Sequence, residues 1–181
     1  LPKGRRDHFH LVRGDMRDFA LARKFDLISC PFNAFQHLYT HDDVVRCLGR
    51  VKEHLAPEGV FIFDVLMPDL EYLSRSPLKR FPGVRFKHPR FDAHYTYSEQ
   101  TAYDPIKQLN QMWLHYDLSE TDKTAPPHFC IELSHRVFFP QEIIALLRFS
   151  GFSVLQCLGD FDGGPLTGES ESMVFMCCLA S

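Results

Sequence analysis

Three sets of side chains in this 181-residue chain are of types that could do chemistry. Asp15 and Met16 follow Gly14 at the end of an alternating stretch. A carboxylate there can accept hydrogen bonds while the next backbone N–H donates one, or Gly-Asp can simply make a turn. His37 follows closely on Cys30, Pro31, Phe32 and Asn33. Its imidazole can exchange a proton near neutral pH, or pack and satisfy itself. Tyr95, Tyr97, Tyr103, Trp113, His115 and Arg136 fall in a stretch that reads as paired strands. Aromatics so placed pack across strands or cover a small ligand. Arg136 can grip a carboxylate or phosphate through two bonds, or form a salt bridge on this stretch itself.

Other chemistry is poorly supported. His8 and His10 would share one face of a strand, but a metal needs three or four converging ligands and no third is near. The cysteines are Cys30, Cys47, Cys130, Cys157, Cys177 and Cys178, with no Cys-x-x-Cys spacing. Most sit in apolar runs, which suits reduced, buried thiols in a cytoplasmic protein. There is no Gly-x-Ser-x-Gly elbow and no phosphate loop ending in Lys-Ser/Thr. A net charge of −3 offers no basic footprint for nucleic acid. No apolar run approaches the roughly 20 residues that span a bilayer. The basic start at Leu1–Asp7 has no apolar stretch after it, so it does not read as a signal peptide.

The elements that must position these residues follow from periodicity. Phe9–Arg13 alternates and reads as a strand ending at Gly14-Asp15. Phe25–Cys30 reads as a strand buried on both faces, stopped by Pro31. Thr40 is an N-cap, with Asp42 and Asp43 in the first helical turn. Val44, Val45, Leu48, Val51 and Leu55 give that helix its apolar stripe, and Pro57-Glu58-Gly59 ends it. Val60–Val65 is the next strand. Strand, helix, strand with short joints points to a parallel α/β sheet.

From Met67 the pattern changes to a helical turn at Leu70–Leu73, a loop-rich stretch with Pro77, Pro82, Gly83 and Pro89, and then strands. Tyr95–Tyr103 and Gln108–Leu118 pair around a turn at Asp104–Lys107, with a third strand over Ile131–Phe139. Pro140 opens a helix that Gly151 caps. Strands over Phe152–Cys157 and Ser172–Leu179 close the chain.

The ordered set Gly14-Asp15-Met16-Arg17-Asp18-Phe19, Phe25-Asp26-Leu27-Ile28, Asn33–Leu38 and Leu55-Ala56-Pro57-Glu58-Gly59 resembles the third-to-fifth-strand region of class I S-adenosylmethionine-dependent methyltransferases. Phe138–Ile143, Gly151-Phe152 and Gly159–Gly163 resemble the tail of the small-molecule members. The resemblance implies a Rossmann-like α/β sheet, mostly parallel with an antiparallel last strand, and an antiparallel β insert as lid. It implies one domain over 1–181: cofactor core 1–66, lid 67–139, closing helix and strands 140–181. It implies S-adenosylmethionine as cofactor, with Asp15 and Met16 at the adenine and Cys30, Pro31, Phe32, Asn33 and His37 beside the methionine end. Methyl transfer to an O or N atom of a small-molecule acceptor follows, with His37, His115 and Tyr97 as catalytic candidates. Tyr95, Tyr97, Tyr103, Trp113 and Arg136 are the acceptor-binding candidates.

The glycine-rich first loop and the acid ending the second strand have no counterpart. The expectation is therefore an N-terminally truncated sheet, with a bare apolar edge at Phe25–Cys30 open to a homodimer. The rival expectation is a noncatalytic binding or dimerisation module on a decayed methyltransferase scaffold.

Overall fold

A computed structural model describes residues 10–90, 92–119 and 125–180. Two four-stranded sheets are built from β1 (Phe25–Cys30), α1 (His41–His54), β2 (Leu55–Leu66), α2 (Leu70–Leu73), β3 (Phe81–His88), β4 (Ala93–Asp104), β5 (Leu109–Leu118), β6 (His128–Arg136), α3 (Pro140–Phe149), β7 (Phe152–Leu158) and β8 (Ser172–Leu179). The first sheet has the order β1-β2-β8-β7 and the second β3-β4-β5-β6. β1 and β2 are parallel, and β8 runs antiparallel to both β2 and β7. Three strands thus share a direction and the last reverses it. No helix among the described residues is long and apolar enough to cross a membrane.

The start of α1 has a physical cause. The Thr40 hydroxyl accepts from the Asp43 N–H and the Asp43 carboxylate accepts from the Thr40 N–H, both at 3.1 Å. This reciprocal box satisfies two donors that an open helix end leaves unpaired. The buried stripe is Val44, Cys47, Leu48 and Val51. Val45 is 54% exposed, because a step of one residue rotates it off that face. β2 begins directly at Leu55, so Pro57-Glu58-Gly59 lies inside an irregular strand instead of ending the helix. Gly59 is needed there: a Cβ would stand 2.9 Å from the Phe25 carbonyl oxygen.

The core fills one face of the first sheet. Phe63 stacks on Phe175 at 5.2 Å and meets Phe35 at 4.4 Å, under Val44, Leu48 and Val51 of α1 and Ile143 and Leu147 of α3. On the other face Leu27, Val60, Ile62 and Met176 stay partly or fully exposed. β1 has a single neighbour in the sheet. Its burial is therefore partial, with Leu27 58% exposed, rather than complete on both faces.

Three expectations are corrected. No strand forms over residues 10–13, where Leu11 is 98% exposed, because among the described residues no neighbouring strand offers their backbone a partner; Phe9 and His8 lie outside the described residues. The loop-rich stretch after Pro77 contains β3, which tolerates Pro82 by lying at a sheet edge with an irregular register. The third lid strand spans His128–Arg136, three residues earlier than the pattern suggested. The six cysteines are free thiols, Cys47 and Cys177 buried and Cys130 exposed.

Phe63→Ala should cost about 3–5 kcal/mol of stability, while Val45→Ala should change it by no more than about 0.5 kcal/mol. Urea unfolding followed by circular dichroism measures both. Equal losses would contradict this assignment of the core face.

Candidate functional site

Strands β1 and β2 end side by side, and the chain leaving β1 must turn sharply. Phe32 and Asn33 take left-handed backbone angles, φ 66° and 56°, which non-glycine residues rarely adopt. The buried Asp64 holds them there: its two carboxylate oxygens accept from the Phe32 and Asn33 N–H groups, each at 2.8 Å. The next turn presents Gln36. Its amide oxygen accepts from the Leu66 N–H at 3.1 Å and its amide nitrogen donates to the Arg136 carbonyl at 2.9 Å. One buried side chain therefore joins the end of β2 to the end of β6.

Beside Gln36 lies a cavity of about 860 Å³. Its walls come from Leu66–Leu70 and Tyr72, from Asn110 and Met112 of β5, from His135 and Val137, and from the 168–171 loop. This is the outer end of parallel strands, where open α/β sheets bind ligands. The charged lining groups are Asp69, Glu169 and Glu171, and among the described residues no Lys or Arg lines it. The His135 ring sits 5.1 Å from the His37 ring. Burial first, and then His37, lowers the His135 pKa, so the imidazole is neutral at pH 7.

A polar network stands behind Tyr72. Its hydroxyl donates to Glu99 Oε1 at 2.7 Å, and the Tyr97 hydroxyl donates to Glu99 Oε2 at 2.8 Å. Thr101 donates to the Asn110 side-chain oxygen. Burial first, and donation to Glu99 second, push the Tyr72 hydroxyl up to about 12. Tyr97 is pushed up by the same causes.

The residues singled out from sequence are dispersed. Arg17 fills the Asp15 carboxylate, with Nε and the backbone N–H on Oδ1 and Nη2 on Oδ2 at 2.7 Å, which lowers the Asp15 pKa to about 2. Met16 packs against the main core. Cys30 is partly buried at the end of β1, its thiol pushed up to about 11 by burial and by Asp64, and so is not a thiolate. Pro31 and Phe32 are exposed, Phe32 at 93%. The Asn33 side-chain oxygen is buried without a partner among the described residues. His37 is exposed on the far side of His135, within 3.4 Å of the Tyr39 hydroxyl.

None of the lid residues chosen from sequence lines the cavity. Tyr95 is fully buried in the lid's own core, its hydroxyl on the Pro126 carbonyl. Tyr97 is engaged with Glu99, and Tyr103 is partly buried opposite Asn110. Trp113, His115 and Arg136 belong to the other face of the sheet, because alternation puts them opposite Met112 and His135. His115 accepts from Arg80 at 2.9 Å, and burial followed by Arg80 lowers its pKa. Arg136 is buried and paired at 2.6 Å with Glu142 of α3, so its ion pair ties the insert to the closing helix instead of lying within the insert. Gln36, Tyr72, Glu99, Asn110 and His135 were not singled out. Alternation along β4 and β5, started from Tyr97, would have pointed to Glu99, Asn110 and Met112.

The fold is that of S-adenosylmethionine-dependent methyltransferases. The CcbJ methyltransferase of Streptomyces caelestis superposes with a TM-score of 0.77 at 18% identity, over 93% of this chain and 67% of that one. In sequence the chain is 37% identical over 54 residues to a dTDP-3-amino-3,6-dideoxy-alpha-D-glucopyranose N,N-dimethyltransferase of Streptomyces fradiae, over 30% of this chain and 21% of that protein. It is 23% identical over 166 residues to the putative methyltransferase YqeM of Bacillus subtilis, over 91% of this chain and 63% of that protein. The chain thus spans less than two thirds of the curated relatives it matches. No family model matches it.

Tyr72 should titrate with a midpoint near 12, read from its ¹³Cζ signal by nuclear magnetic resonance. Glu99→Gln should move the midpoint partway down, since burial remains. A folded-state value above the ordinary 10 also means that the unfolded chain loses this proton first, so stability should fall as pH rises from 10 towards 12. An unmoved midpoint in Glu99→Gln would contradict the pairing.

Proposed function

We propose that the chain provides the acceptor side of a methyltransferase that uses S-adenosylmethionine to methylate an amine nitrogen of a small molecule. The supporting observation is the cavity itself: apolar walls, three carboxylates and a neutral imidazole at the outer end of β2. Such a lining attracts an ammonium group and repels a carboxylate or phosphate. Of the O and N acceptors expected from sequence, nitrogen suits it better. An amino sugar, the acceptor named for the Streptomyces fradiae relative, has the required group.

The residues present fit one wall of the cofactor. The buried, unpartnered oxygen of Asn33 suits an ammonium donor at the methionine end, and Asp64 fixes the turn that carries it. Met16 and Asp15 would flank the adenine. An adenine amino group at the Asp15 carboxylate, which is about half exposed, would share it with Arg17, which donates to both oxygens. The cofactor, when bound, supplies a methyl group on a sulfonium sulfur. The chain's own part is to strip water from the acceptor and to take its proton. The His135 imidazole, neutral at pH 7, is the acceptor for that proton, since a nitrogen attacks only through a free lone pair. In this reading 1–66, 67–139 and 140–181 act as core, lid and closing segment of one unit.

One observation favours the rival, a noncatalytic module that pairs with a second copy. Among the described residues β1 pairs with β2 alone, which leaves a strand edge beside the exposed Leu27.

Calorimetric titration with S-adenosylhomocysteine separates the two. Binding that Asp15→Ala weakens about tenfold, the loss of one or two charged hydrogen bonds, is expected of the enzyme reading. A folded chain that binds nothing, yet forms dimers that Leu27→Lys dissociates in sedimentation, would replace it with the module.

A further inference from the structure

Tyr72 reaches the cavity wall with its hydroxyl already committed. A phenol has one proton to give and two lone pairs. Tyr72 gives its proton to Glu99 Oε1, and Tyr97 occupies the other carboxylate oxygen. The ring cannot easily swing away, because the Arg75 guanidinium lies 4.8 Å over it and 4.7 Å over Phe81. Thr101 and the Asn110 side chain both lie against the hydroxyl. Thr101 gives its own proton to Asn110, and the Asn110 amide can only donate to the phenol oxygen, so neither draws the Tyr72 proton from Glu99, and one lone pair is left for a ligand. The same short helix starts at Asp69, which caps the Tyr72 N–H with its carboxylate and lines the cavity.

We infer that Glu99 is a positioning residue: by holding the Tyr72 proton, it makes Tyr72 meet any cavity ligand as a hydrogen-bond acceptor only. The wall then recognises N–H bonds rather than positive charge alone. A primary or secondary ammonium donates into the Tyr72 oxygen. A quaternary ammonium carries the same charge and has no proton to donate, and a carboxylate sets lone pairs against lone pairs. This rests on the amine reading of the cavity, and it adds the means by which that cavity tells an unmethylated nitrogen from a fully methylated one. Glu99 does not touch the ligand and acts through Tyr72.

The test needs neither cofactor nor turnover. The chain, labelled at tyrosine ¹³Cζ, is titrated with cyclohexylammonium, with N,N,N-trimethylcyclohexylammonium and with cyclohexanecarboxylate. Cyclohexylammonium should move the Tyr72 signal saturably and bind about tenfold more tightly than the trimethyl compound, the worth of one hydrogen bond to an ion. The carboxylate should leave the signal in place. In Glu99→Gln the amide can donate to Tyr72 and turn its proton toward the cavity, so the tenfold preference should shrink to within about twofold. A merely structural Glu99 would lower the melting temperature and keep the ratio. Should that variant fail to fold, Tyr72→Phe removes the hydroxyl alone, and calorimetric titration with the two ammonium probes should show the same preference lost. No binding of cyclohexylammonium, equal affinity for both ammonium probes, or a ratio unchanged in the variants overturns the inference. The preference without S-adenosylhomocysteine binding leaves it standing and removes the methyltransferase reading; cofactor binding without the preference does the reverse.

Discussion

The arrangement depends on one buried carboxylate. Asp64 sits on β2 and accepts two backbone N–H groups from the turn that leaves β1. Without it Phe32 and Asn33 have no compensation for their left-handed angles, and two donors lose their partner. With it, the turn delivers Phe35 into the core and Gln36 to the junction of the two sheets. That junction is where the cavity opens. A constraint at one residue of β2 therefore sets the distance between the sheet and its lid.

The polar groups of the site divide into two kinds. Asp64, Gln36 and Arg136 are buried and serve the backbone or, for Arg136, the half-buried Glu142. They fix geometry. Tyr72, His135 and the loop carboxylates face the cavity. Arg17 is committed in the same way: it joins Asp15 to Asp43 at the start of α1, which couples the turn at Asp15 to the capping of that helix.

Much of the local structure is legible in the sequence. Thr40 with Asp43, the turn at Asp104–Lys107 and the left-handed Gly151 each depend on contacts within a few residues. The cavity is not legible in this way. Gln36 reaches 100 residues along the chain to Arg136, and Tyr72 reaches 27 to Glu99. Aromatic content drew attention to Tyr95 and Trp113, yet alternation decides which side of a strand a residue serves. Trp113 and Met112 differ by one position and belong to opposite faces. Phe9–Arg13 fails for the opposite reason: an alternating pattern describes a strand, and a strand also needs a neighbour.

The order of the first sheet bears on how the chain assembles. β8 is the last strand in sequence and lies inside the sheet, between β2 and β7. The lid strands β3 to β6 each pair with the next along the chain, so their contacts close over short loops and form early. β2 must wait for β8 across about a hundred residues of intervening chain. A folding chain thus carries a formed lid above an unfinished core, and deleting residues 172–181 would remove the strand that joins the two halves of the sheet.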